Sequence, residues 1–134
     1  MNVTELEGDV VILACGISAG IHGALVPGHL EEGHGPGLGF GAATLALAGL
    51  VVWLTRRPAS RPAVAVAAAT FLGLLGSYAL AMTTGLPVLH RHPEPVDGLA
   101  LATKAIEAVG LLAAASVLRR PLASFALRPK GTLT

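Results

Sequence analysis

The chain has 134 residues, 53% of them hydrophobic and only 13% charged, with a formal net charge of +1 and a mean hydropathy of +0.70. That much apolar surface exceeds what one small water-soluble core would use, and nine basic residues against eight acidic ones leave no strongly basic face for nucleic acid. A single cysteine, Cys15, excludes an internal disulfide.

A bilayer core about 30 Å thick takes about 20 mostly apolar residues per helix. Four such runs predict helices over Asp9–Val26, Leu38–Thr55, Ala63–Thr84 and Gly98–Leu118. Lipid offers backbone groups no partners, so spans are helices or closed barrels, and these runs lack the apolar/polar alternation of barrel strands. The expected fold is all-α: an integral membrane four-helix bundle in which residues 1–134 form a single transmembrane domain.

The first run is preceded by Glu5, Glu7 and Asp9 where a signal peptide carries basic residues, and no cleavage pattern follows it, so it reads as a retained helix. It presents Gly16, Gly20 and Gly23 beside Cys15, Ser18 and His22. Small residues at helical spacing let membrane helices approach closely when lipid removes any hydrophobic drive between them. Pro27 and Gly28 are expected to end this helix and open a loop over 27–37. The second run offers Gly41, Thr44 and Ala48, and Pro58 and Pro62 then bracket a tight turn. Thr70, Gly73, Ser77, Ala81 and Thr84 line one side of the third. A loop over 85–97, stiffened by Pro87, Pro93 and Pro95, leads to the fourth, whose stripe is Ala100, Thr103, Glu107, Gly110 and Ala114. The tail 119–134 sets Phe125 and Leu127 among cations and is expected to rest on an anionic leaflet.

Arg56, Arg57 and Arg61 lie between helices 2 and 3, and Arg119, Arg120, Arg128 and Lys130 follow helix 4, with only Arg91 on the other side. The positive-inside rule then predicts that both termini are cytoplasmic and that the 27–37 and 85–97 loops face outward. Seven arginines against two lysines, with abundant alanine, glycine and leucine, suggest a GC-rich bacterial source. The expected location is therefore a bacterial plasma (inner) membrane, crossed several times.

All five histidines fall on the outer half of this arrangement. His29, Glu32 and His34 in the first loop, with His90, His92 and Glu94 in the second, form a set of imidazoles and carboxylates suited to a divalent transition metal or copper. His22, roughly 6 Å below the outer end of helix 1, would cap that site from beneath. Ordinary loop residues account for the same composition, because no Cys-x-x-Cys or His-Glu-x-x-His spacing is present. Within the spans, Lys104 and Glu107 are neighbours on one helix surface, roughly 9 and 14 Å below the outer boundary. A carboxylate near the bilayer centre costs about 2.5–3.5 kcal/mol on insertion scales, so it must pair, face the bundle or take up a proton. His22, Ser77, Lys104 and Glu107 together would line a polar cavity beneath the histidine-rich loops, with Ser18, a further polar residue within the spans, one turn below His22.

The segment Ile-Ser-Ala-Gly-Ile-His-Gly-Ala-Leu-Val-Pro-Gly-His-Leu-Glu-Glu at 17–32, Thr-Thr-Gly-Leu-Pro at 83–87, Pro-Glu-Pro-Val-Asp at 93–97 and Glu107 beyond resemble the small four-helix membrane proteins of unknown function common in actinobacteria. The resemblance covers most of the chain. It implies the same architecture and points to His22, His29, Glu94 and Glu107.

Three functions fit these residues. The first is a non-enzymatic membrane protein binding a metal ion at its outer face. The second is a non-catalytic subunit, forming a homo-oligomer or docking in a larger membrane complex. The third is a haem protein or a small cation or proton carrier. Haem ranks last, because His90 lies beyond Pro87 and outside the bilayer, and four short spans leave little for alternating access. Short loops leave no room for a water-exposed enzyme, and the Gly33–Gly41 run carries no Gly-Lys-Ser/Thr phosphate loop.

Overall fold

The computed structural model describes residues 3–32, 34–58, 60–84 and 97–120. They form four helices, α1 (Val3–Glu32), α2 (His34–Arg56), α3 (Arg61–Thr83) and α4 (Gly98–Arg119), each long and apolar enough to cross a membrane. Alternate helices run in opposite directions. One end of the bundle therefore gathers His29, His34 and Asp97, and the other gathers Arg56, Arg61, Arg119 and Arg120. α1 packs along α2 and α4, while α3 closes the ring against α4 and, more lightly, against α2.

α1 departs most from expectation. It begins at Val3 rather than Asp9, and it runs through Pro27 to Glu32 instead of ending at Val26. Proline forfeits one N–H, whose partner would have been the Gly23 carbonyl. Such gaps are tolerated in apolar bundles where other groups re-satisfy the turn. The His29 imidazole contributes locally, its Nδ1 donating to the Leu25 carbonyl at 2.9 Å. α2 likewise starts at His34 rather than Leu38, so residues 27–32 and 34–37, expected as a loop, are helical. At 30 residues α1 is about 45 Å long, longer than a bilayer core is thick. α3 and α4 shift by two residues or fewer from the predicted bounds. Their starts follow from capping: Ser60 accepts from the Ala63 N–H, and Asp97 accepts from the Ala100 N–H at 2.7 Å.

Val11, Ala14, Cys15, Leu47, Leu50, Phe71 and Ala114 fill the centre. Gly110 is the tightest crossing. A Cβ there would stand 2.7 Å from both Ala14 Cβ and Phe71 Cε2, so only glycine leaves room for both neighbours against α4. Gly23 is close to Thr44 of α2, with 3.3 Å from its would-be Cβ to Thr44 Cγ2. Gly20, Gly41 and Gly73, expected in the same stripes, meet nothing within 4 Å. Leu13, Leu45, Leu72 and Leu112 point outward, leaving an apolar belt that suits lipid rather than water.

The arginine end is tied by side chains. Arg61 donates to the carbonyls of Leu118 (2.6 Å) and Arg120 (2.9 Å), closing the C-terminus of α4, whose last carbonyls have no helical partner. Arg120 reaches Glu7 Oε1 at 2.8 Å and Thr4 Oγ1 at 2.6 Å, and Ser116 donates to the same Glu7 oxygen at 2.8 Å. Arg61→Met is expected to lower stability by about 1 kcal/mol, the loss of two partly solvated hydrogen bonds. Unfolding in detergent, followed by helical circular dichroism, measures it; an unchanged midpoint contradicts the capping role.

Candidate functional site

Glu107 is fully buried on the face of α4 that meets α1. Both of its oxygens are engaged. Ser18 Oγ donates to Oε1 at 2.7 Å, and Lys104 Nζ, one helical turn away, donates to Oε2 at 2.6 Å. Removing a carboxylate from water is costly unless it is paired and hydrogen-bonded, and this one is both. The i, i+3 spacing on α4 supplies the cation, and the close approach of α1 supplies the hydroxyl.

His22 lies one turn above Ser18 on α1 and is buried. Its Nδ1 is 2.9 Å from the Ser18 carbonyl. A carbonyl can only accept, so the proton sits on Nδ1, and Nε2 is the nitrogen that faces Glu107, 3.8 Å from Oε1. The Phe40 ring of α2 stands 5.3 Å from the His22 ring and stacks on His29 at 4.0 Å.

Above this cluster is a cavity of about 270 Å³ to which all four helices contribute. His22 and Lys104 form its floor, Phe40 and Tyr78 are aromatic walls, and Asp97, the N-cap of α4, marks its mouth at the histidine end. Ile21, Leu25, Leu74 and Leu99 make the rest largely apolar. Toward the arginine end the space is shut by Phe71, Cys15 and Val11, all with no exposed surface.

Lys104 Nζ lies 5.4 Å from the centre of the Tyr78 ring, close enough for cation–π attraction. The Tyr78 hydroxyl is buried and, among the described residues, has no hydrogen-bond partner. Ser77 lines the cavity with its hydroxyl bonded to the Leu74 carbonyl at 3.0 Å, and Thr103 bonds likewise to Leu99 at 2.7 Å.

No protein-family model, curated protein or solved structure matches the chain. The site is therefore read from its own geometry.

Of the residues singled out from sequence, Ser18, His22, Lys104 and Glu107 come together in one hydrogen-bonded cluster, and Ser77 stands in the cavity above it. His29 joins the cavity wall through Phe40 rather than a loop. His34 is exposed at the start of α2. The Glu32 side chain and His90, His92 and Glu94 lie outside the described residues. Among the described residues no three His, Cys, Asp or Glu side chains converge as metal ligands. Sequence reasoning missed Phe40 and Tyr78. Their rarity was the available signal: one tyrosine and three phenylalanines in the whole chain, with Tyr78 directly after Ser77 on a stripe already singled out.

Proposed function

We propose that this chain is a multi-pass protein of a bacterial plasma membrane that binds a small molecule in the pocket between its helices, with no reaction of its own. The pocket carries the reading: it has a charged, hydrogen-bonded floor and largely apolar walls. A path for ions or protons would have to continue past Phe71, and there Phe71, Cys15 and Val11 are fully buried. The arginines at the far end favour a cytoplasmic location for both termini, so the mouth faces outward. A membrane ligand enters such a pocket from the outer leaflet or the space beyond it.

The test is purification in polymer nanodiscs, without detergent, followed by solvent extraction and mass spectrometry. Wild-type protein is expected to carry one enriched small molecule at about one per chain. Ala100→Trp, which fills the pocket one turn from Lys104 while leaving both charged residues in place, is expected to lose it. Identical extracts from the two proteins would refute the reading.

A transition-metal or copper ion is the second reading. It is favoured by the position of His29 and His34 at the end where the connection carrying His90 and His92 begins. Elemental analysis of the same preparations checks it, with at least one metal per two chains expected if it holds.

A further inference from the structure

Resting on the pocket reading above, we infer that the bound molecule is neutral, membrane-soluble and headed by a hydrogen-bond-accepting carbonyl, the chemistry of a quinone ring. Three observations converge on this class. The first is the supply of donors at the floor. An ammonium has three N–H bonds, and Lys104 gives one to Glu107, which leaves two at the cavity surface. Tyr78, whose side chain lines the adjoining wall, has a buried hydroxyl with no hydrogen-bond partner among the described residues. The competing acceptors are already used: both Glu107 oxygens are bonded and fully buried. Ser77 and Thr103 direct their hydroxyl hydrogens into their own helix. A ligand meeting this floor gains most by presenting an oxygen lone pair, and a buried donor left unpaired is a cost that such an oxygen removes.

The second observation is charge. Lys104 and Glu107, at 2.6 Å, neutralise each other. An anionic head at the floor would leave a net negative charge in an apolar setting, and a cationic head would meet the lysine ammonium. A neutral carbonyl incurs neither cost.

The third is shape. A cavity of about 270 Å³ lies just below the roughly 300–1,000 Å³ of drug-sized sites, so it admits one ring system. Phe40 and Tyr78 offer aromatic surfaces to that ring.

The experiment is equilibrium dialysis of the full chain in nanodiscs against three probes: a short-chain naphthoquinone or benzoquinone, decanoate and decyltrimethylammonium. The quinone is expected to bind saturably at one per chain. Tyr78→Phe should weaken it on the order of threefold to tenfold, and Lys104→Met/Glu107→Gln on the order of 10- to 100-fold. The double variant keeps the floor neutral, and its helicity confirms that it folds. Ala100→Trp should abolish binding. If decanoate or the ammonium binds more tightly than the quinone and is lost in Ala100→Trp, the neutral-carbonyl inference is overturned while the pocket reading stands. If no probe distinguishes wild type from Ala100→Trp and the extracts match, both fall.

Discussion

Lys104→Met is expected to destabilise the bundle by about 3–5 kcal/mol, the range found when one partner of a buried pair is removed and the other is left uncompensated. The size follows from where the remaining charge sits. Glu107 has no exposed surface, and Ser18 alone would then hold it. Glu107→Gln should cost less, because the Lys104 side chain keeps about 16% of its surface exposed and reaches the cavity, where water solvates it. Combining the two changes removes both charges and keeps an acceptor for Ser18 Oγ, so most of the loss should return. Reversible unfolding in mixed dodecylsulfate–maltoside micelles gives all four stabilities. If the single lysine change costs under 1 kcal/mol, or the double variant is worse than either single one, Glu107 is not held as an ion.

That pair shows what the sequence made legible and why. Its spacing of three on a long apolar run fixed the adjacency of the two charges, since helix geometry is local. The four helices were legible for the same reason, as continuous apolar runs long enough to cross a membrane. Pairings between helices were harder to read, because they depend on how each helix is rotated. Ser18 bonds across 89 residues to Glu107, and Arg120 reaches across 113 to Glu7. The polar rows of α1 and α4 singled out Ser18 and Glu107 separately, and nothing in the local pattern paired either them or Arg120 with Glu7. Pro27 misled because its usual meaning in water, an ended helix, weakens when a bundle supplies neighbours. Tyr78 offered only its rarity as a signal, because a hydroxyl without a partner among the described residues is known only once the surrounding atoms are placed.

Gly110→Ala is expected to lower stability by about 1–3 kcal/mol, although alanine is intrinsically the better helix former by up to about 1 kcal/mol. The added methyl carbon would stand 2.7 Å from Ala14 Cβ and Phe71 Cε2 and 2.8 Å from Phe71 Cζ, distances no packed interior sustains. Neither neighbour yields easily. Ala14 is fixed to the α1 backbone, and the Phe71 ring has no exposed surface into which it can turn. α4 must therefore move off α1 and α3, and this takes Lys104 and Glu107, on the turns above, away from Ser18. The same substitution should loosen the pocket floor, so quinone-class binding should weaken together with stability. Phe71→Leu removes the ring atoms nearest the new methyl group, and in the Gly110→Ala background it should recover part of both losses while being destabilising alone. Gly73→Ala is the matched control: with nothing within 4 Å of its would-be Cβ, the change should leave stability equal or slightly raised. If Gly110→Ala behaves as Gly73→Ala does, the close crossing of α1, α3 and α4 is wrong, and with it the geometry that closes the pocket from below.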